Sequence, residues 1–360
     1  MKLMKKIVLT ALGSLLAFWL PFWLHVDSFW GIRFGERASM QTIVQNFDGL
    51  NFLVVERTWY DPKKLLRFER ITSNKPIYFT AHYPGYAILI WLFDKFVNGD
   101  KALLASVVVN NVLLAVGLYW FFKEVFGKEK IAFYLSVLAL FLPARMLSVR
   151  TVGSTEPLFM FLTLMSLVYA MRKKHWLAGV MGALAVLTRS PGILLFGGYG
   201  LFYLTKHKKN ISLFIKSMLP YSLIPLSLFG VWSFYGLKLG SFWAYFQSGD
   251  NLHLFFPPFQ IFSNMTSWVS GMWLEDVIYL YLIFSIGLYL FWKQARKNKK
   301  LLPVFWWGAV YFAVILLVAH RDVARYSLPI SPVVLAGYGD KLVRSNYRWW
   351  LLWVVVPVFS

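Results

Sequence analysis

Asp48 sits in the run Asn46-Phe47-Asp48-Gly49-Leu50-Asn51-Phe52, with Phe47, Leu50 and Phe52 around it. A carboxylate among apolar side chains is a poor solvent-facing loop residue, and it marks a place where a hydroxyl could lose its proton. The same stretch, from about His25 to Asp100, also carries His82-Tyr83-Pro84-Gly85-Tyr86. Four more segments put polar groups at the ends of apolar runs. They are Arg150-Thr151-Val152-Gly153-Ser154-Thr155-Glu156-Pro157, Leu187-Thr188-Arg189-Ser190-Pro191-Gly192, Leu274-Glu275-Asp276, and His320-Arg321-Asp322-Val323-Ala324-Arg325-Tyr326. Ionisable groups at membrane depth are costly unless they face a cavity or a partner, so together they point to a site. Taken singly, each is more often a helix-end cap or a snorkelling anchor.

The elements that must position these groups are membrane helices. The chain has 58% hydrophobic, 19% aromatic and only 15% charged residues, and its mean hydropathy is +0.57, outside the mix of a soluble domain. Apolar runs near the ~20 residues that cross a bilayer recur along it. The first, Ile7 to Leu24, follows Lys2, Lys5 and Lys6 but lacks the small residues of a signal-peptidase site, and is read as a retained helix. The net charge of +21 does not imply nucleic acid. Its basic residues fall in short clusters between apolar runs, which the positive-inside rule places in the cytoplasm together with the N-terminus. Of the 16 acidic residues only Glu124, Glu129 and Asp340 then lie inside. Cysteine is absent, so disulfide and thiolate chemistry are excluded.

The expected architecture is all-α, a single polytopic bundle over 1–360 with about eleven spans: 7–24, 101–122, 131–147, 156–171, 176–188, 191–205, 211–235, 272–292, 302–319, 328–340 and 349–360. Residues 176–188 and 191–205 also read as an incomplete pair of crossings. The long outer loops are 25–100, with an interfacial helix at 85–97, and 236–271. The last run stops at Ser360 without a polar flank, as a truncated form of something longer would. Arg33, Arg37, Arg57, Lys63, Lys64, Arg67, Arg70 and Lys75 of the first loop either hold phosphate near the site or form a solvated basic surface drawn to anionic headgroups.

Phe47-Asp48-Gly49-Leu50-Asn51-Phe52 with Trp59-Tyr60 resembles the aromatic-Asp-x-x-x-aromatic motif in the first outer loop of polyprenyl-phosphate-sugar glycosyltransferases of the C-type superfold (GT-C). The likeness is greatest to the PIG-V-like mannosyltransferases. Tyr83-Pro84-Gly85-Tyr86 resembles that family's Phe-Pro-Leu-Tyr-Pro, Ser154-Thr155-Glu156-Pro157-Leu158-Phe159 its Tyr-Thr-Glu-Ser-Leu-Phe, Thr188-Arg189-Ser190-Pro191-Gly192 its Thr-Arg-x-x-Gly, and Arg325-Tyr326-Ser327-Leu328-Pro329 its Arg-Tyr-x-Leu-Pro. The segments keep the family's order over 47–329. Phe47 stands where Trp is common, and no Asp-x-Asp occurs.

The resemblance implies transfer of a sugar, mannose in the family, from a polyprenyl-phosphate donor to a glycan, lipid or protein acceptor. The charge topology sets the site at the outer membrane face, and the short Lys-rich inner loops and minimal length suit a plasma membrane of prokaryotic type. Asp48 would take the acceptor proton. Arg189 and Arg325 would meet the leaving phosphate, with His82 as a hydrogen-bond partner and Tyr326 in the same binding motif. Glu156 would orient a sugar hydroxyl or a metal-bound water. Trp59, Tyr60 and Trp273 are candidates to stack on a sugar ring. No nucleotide-binding motif occurs. Neither His25, His82, His253 nor His320 stands at metal-ligand spacing from another, and the part of a divalent cation stays open. A transporter or flippase of lipid-linked saccharides is the alternative; it would place charges mid-helix, whereas here they collect at helix ends.

Overall fold

The computed structural model describes residues 2–29, 32–33, 38–72, 74–208, 210–263 and 275–344; Arg37, Trp273 and the span expected over 349–360 lie outside them. Helix α1 (Lys2–Trp23) is followed by a two-residue antiparallel ribbon, Ser28–Phe29 with Ile32–Arg33. The first long connection then folds into α2 (Met40–Gln45), α3 (Gly49–Thr58), α4 (Pro62–Thr72), a 3-10 turn at Pro76–Ala81 and α5 (Pro84–Asp94). Next come α6 (Asp100–Phe126), α7 (Glu129–Ala139), α8 (Arg145–Arg150), α9 (Glu156–Met171), α10 (His175–Thr188) and α11 (Leu194–His207). Helix α12 (Ile211–Met218) runs through a 3-10 turn into α13 (Leu223–Leu239). After α14 (Ala244–Gln247) in the second long connection come α15 (Glu275–Lys297), α16 (Leu302–Ile315), α17 (Val323–Ser327) and α18 (Ser331–Arg344).

Among the described residues, four stretches are long and apolar enough to cross a bilayer: Lys2–Trp23, Asp100–Phe126, Ile211–Leu239 and Asp276–Lys297. Helix α1 buries only Ile7, Ala11, Leu15 and Trp19, one stripe at four-residue spacing, and exposes Leu9, Leu16, Leu20 and Trp23. Helix α15 likewise exposes Ile278, Leu282, Ile283 and Ile286. A helix that is apolar all round yet buries one stripe needs an apolar solvent on its other faces. The arrangement is compatible with an integral membrane protein.

Between lipid-facing helices the hydrophobic effect gives little drive to associate, so close backbone approach through small residues matters more. Gly198 of α11 lies against Trp307 of α16, where a Cβ would come within 2.5 Å of the Trp307 Cα. Gly337 of α18 meets Gly287 of α15 in the same way, where a Cβ would come within 2.0 Å of the Gly287 carbonyl oxygen.

The continuous crossing expected over 131–147 is not formed: α7 ends at Ala139. Pro143 has no N–H to give the Ala139 carbonyl and disfavours helix at Leu142. The next carbonyl, that of Leu140, accepts from Arg150 Nε at 2.9 Å instead. Arg150 is fully buried and also donates to Ser14 Oγ at 2.7 Å and Asn111 Oδ1 at 3.0 Å. It ties α1, α6 and the α7–α8 turn together, away from the site segment in which the sequence sets it.

The two long connections form one cap. Thr80 Oγ1 donates to the Ala244 carbonyl at 2.9 Å, and Tyr60, Phe79, Tyr83, Tyr235 and Tyr245 pack in one buried cluster beneath. Further on, Ala319 N–H donates to the His253 carbonyl at 3.1 Å and Phe255 N–H to Leu317 at 2.9 Å. The second connection is thereby pinned to the segment that leads into α17.

Candidate functional site

Glycines bring the chemistry-bearing segments together. Gly49, next to Asp48, lies against Gly153, next to Ser154-Thr155-Glu156, so closely that a Cβ on Gly153 would stand 2.8 Å from the Gly49 Cα. Gly85 sits on α10's last turn, where a Cβ would meet the Leu187 carbonyl oxygen at 2.6 Å and Thr188 N at 2.8 Å. Gly192 folds back on Val186, whose nitrogen a Cβ would approach to 2.6 Å. Each contact is with backbone, which cannot move aside like a side chain. Asp48, His82, Glu156 and Arg189 are therefore neighbours because glycine stands beside each segment. Phe47 holds a left-handed φ of 50°, an uncommon conformation for an aromatic residue and one often kept at functional sites.

Arg325, on α17, completes the arrangement. Its Nη2 is hydrogen-bonded to Asp48 Oδ2 and its Nε to Glu156 Oε1 at 2.5 Å; Arg189 Nη1 is paired with the same Glu156 oxygen. The order is Asp48, Arg325, Glu156, Arg189, two carboxylates and two guanidinium groups that balance in charge. His82 Nε2 lies 3.7 Å from Asp48 Oδ1 and 3.2 Å from Asn51 Nδ2. The Phe47 ring packs under the Arg325 guanidinium at 4.9 Å, a cation–π contact. Burial would push the Asp48 carboxyl up; Arg325 beside it, with His82, outweighs this and holds it well below the usual carboxylate range. Burial would lower Arg325 in turn, but Glu156 and Asp48 hold it above its ordinary value.

Exposure sorts these groups. The side chains of Asp48, Arg189 and Arg325 are 25%, 16% and 12% exposed, and Glu156 is 0% exposed. Asp48, His82, Arg189, Arg325 and Tyr326 line one cavity of about 250 Å³. Glu156 stands behind it, both oxygens taken by arginines, where it can position the guanidinium groups but meets no ligand. Trp59 and Tyr60 do not line the cavity either. Trp59 packs edge-on against Trp91, and the Tyr60 hydroxyl donates to the His82 carbonyl at 2.5 Å. Of the first-loop cations, Arg33, Arg57, Lys63, Lys64, Arg67 and Lys75 are absent from the lining, as are Asp61 and Asp276.

Tyr78, Tyr245, Asp250 and Asn251 also line the cavity, and no motif marks them. Asp250 had one signal in the sequence: it is the sole acidic residue of 236–271. His253 and His320, 67 positions apart by their numbers, stack with ring centroids 4.8 Å apart and 14° between planes. Arg145 of α8 pairs with Asp322 on the cavity rim. Among the described residues no group of three or more His, Asp or Glu side chains is gathered so as to hold a metal ion.

Chemically, the cavity offers the carboxylates of Asp48, Asp250 and Asp322, the guanidinium groups of Arg189, Arg321 and Arg325, and several aromatic rings. A hydroxyl can approach Asp48, an anion can approach Arg189 and Arg325, and Tyr78, Tyr83, Tyr245 and Tyr326 supply ring surfaces and hydroxyls. No protein-family model and no curated protein matches the chain.

Proposed function

We propose that this chain is an integral-membrane glycosyltransferase of GT-C architecture, with about eleven crossings, that moves a sugar, mannose in our reading, from a polyprenyl-phosphate donor to an acceptor hydroxyl at the outer membrane face. One observation carries the reading. A carboxylate and two arginines from segments far apart in sequence meet on a single cavity at the ends of apolar helices, the groups a glycosyl phosphate transfer needs.

In this mechanism the acceptor oxygen bonds to the anomeric carbon as the bond from that carbon to the phosphate oxygen breaks. The acceptor proton goes to the Asp48 carboxylate, and the polyprenyl phosphate leaves with its charge against Arg189 and Arg325. The ion pair adds an order to these events. Asp48 paired with Arg325 is a weak base, because the guanidinium favours its ionised form. A donor phosphate competes with Asp48 for Arg325, and as the guanidinium turns to the phosphate, Asp48 regains basicity. Donor binding thus precedes activation of the acceptor. Glu156, sealed behind, keeps Arg325 and Arg189 within reach throughout.

The test uses purified protein in nanodiscs with polyprenyl-phosphate mannose or with GDP- and UDP-sugars. Turnover is expected with the lipid-linked donor alone; efficient use of a nucleotide sugar only would overturn the reading.

A further inference from the structure

Three Lys-bearing junctions meet at the end of the bundle away from Asp48. Helix α9 spans the distance: it begins with Glu156 at the site and ends at Met171, 16 residues in all and about 24 Å along the axis. There the α9–α10 turn contributes Lys173, the start of α10 His175, the last turn of α11 Lys206, and the α15–α16 turn Lys299 and Lys300, all around one cavity of about 790 Å³. It is larger than the 250 Å³ cavity at Asp48.

Among the described residues its lining contains no carboxylate. Glu124 of α6 takes Arg172 at 2.6 Å and also pairs with Lys300, so Lys300 is answered from outside the cavity. Lys173, Lys206 and Lys299 are left to charge it. Lys206 Nζ lies over the Tyr203 ring at 5.6 Å, and Tyr203, Tyr221 and Trp306 form an aromatic wall. His175 Nδ1 stands 2.8 Å from the Tyr221 hydroxyl. A convex lysine-bearing face is solvated and its charges spread apart. Here three lysines from separate junctions surround a concavity, where their mutual repulsion falls when an anion enters. Aromatic rings beside the cationic rim suit a ligand with an apolar part next to its charge.

We propose that this cavity binds the phosphate group of an anionic amphiphile. A phospholipid headgroup would place its phosphate among Lys173, Lys206 and Lys299 and its glycerol and acyl region along Trp306 and Tyr203. The proposal is independent of the transfer reaction, since the two cavities share no residue.

The test titrates the full-length, delipidated protein in non-ionic detergent with phosphatidylglycerol, phosphatidylcholine or inorganic phosphate, and native mass spectrometry reads the bound species. Phosphatidylglycerol is expected to bind more tightly than phosphatidylcholine. Each lysine near an anionic headgroup contributes roughly fivefold, so Lys206→Gln/Lys299→Gln should weaken phosphatidylglycerol more than tenfold. Lys128→Gln/Lys130→Gln, which removes the same charge elsewhere, should leave it unchanged. All four lysines are exposed, so neither variant disturbs the packed core. Trp306→Ala distinguishes the sources. It should weaken the lipid and spare inorganic phosphate; equal binding of inorganic phosphate, lysine-dependent and indifferent to Trp306, would keep the phosphate site and assign it to a free anion. Unchanged phosphatidylglycerol affinity in the Lys206/Lys299 variant, or an equal loss in the Lys128/Lys130 control, would overturn the proposal.

Discussion

Asp48 and Arg325 are 277 positions apart and hydrogen-bonded to each other on the wall of one cavity. The second carboxylate on the same guanidinium, Glu156, has no exposed surface. One arginine thus holds a carboxylate that a ligand can reach and one that it cannot, and replacing either should have a different consequence.

Asp48→Asn keeps the shape and polarity of the side chain and removes its basicity. Turnover is expected to fall ~10²–10⁴-fold, the usual contribution of a positioned base, with donor affinity kept or raised because the Asp48 charge no longer competes with the donor phosphate for Arg325. Asp61→Asn is the control. Asp61 accepts from the backbone N–H groups of Lys63 and Lys64 at 2.9 and 3.3 Å, a helix cap away from the cavity, and its loss should cost about 1 kcal/mol of stability with little change in turnover. Assays in nanodiscs with a separate donor-binding measurement decide it; near-normal turnover of Asp48→Asn removes Asp48 as the base.

Glu156→Gln should affect stability first. It leaves Arg189 and Arg325 buried beside each other without the charge that holds both, and breaking a buried pair from one side costs ~3–5 kcal/mol. Asp48→Asn, at a partly exposed position, should cost no more than about 1 kcal/mol. Thermal unfolding of the two variants in the same detergent checks the order. Equal losses would mean that Glu156 is not the keystone of the network.

The helices were legible in the sequence because apolar runs with proline at their start, as at Glu156-Pro157 and Leu302-Pro303, leave a plain record. The run through Ala139-Leu140-Phe141-Leu142 misleads for a physical reason. Hydropathy sees its continuity, but the break depends on Pro143 and on Arg150 taking a carbonyl from ten residues away. Asp48, His82, Arg189 and Arg325 stood out because charge beside apolar runs is costly. Their pairing did not, since Arg325 finds Glu156 across 169 positions and no local pattern encodes that. Tyr78, Tyr245 and Asp250 reach the cavity only because the two long connections fold onto each other, a tertiary fact.

Gly153→Ala tests the close approach that sets Asp48 beside Glu156. The new methyl group would stand 2.8 Å from the Gly49 Cα, a backbone atom, so the two segments must part. Overpacking of this kind costs ~1–3 kcal/mol, and a displacement near 1 Å at a reacting group can cost about 10²-fold in rate. Gly230→Ala on α13, where nothing lies within 4 Å, should be neutral or stabilising by up to ~1 kcal/mol. If Gly153→Ala turns over normally, the glycine contact does not position the site.

The His253–His320 stack makes the cap sensitive to acid. Burial lowers both imidazoles from the ordinary 6.5. For His320 the charge of His253 adds to that lowering, Asp322 and Asp250 oppose it, and Arg321 reinforces it. An unfolded chain therefore binds protons here that the folded one refuses. The stability this gives is complete above about pH 6.5 and is lost as pH falls through the lowered folded values. Asp48 contributes no slope in that window, because its carboxyl stays ionised well below it. The melting temperature in detergent should accordingly drop between pH 7.5 and 5.5. Amide exchange at 250–255 should speed up over the same range, since the His253 carbonyl anchors that segment to Ala319. His253→Phe keeps an aromatic ring in the stack and removes one proton site, so its melting temperature should fall less steeply with acid. An identical pH slope in the two proteins would show that the stacked histidines do not carry the effect.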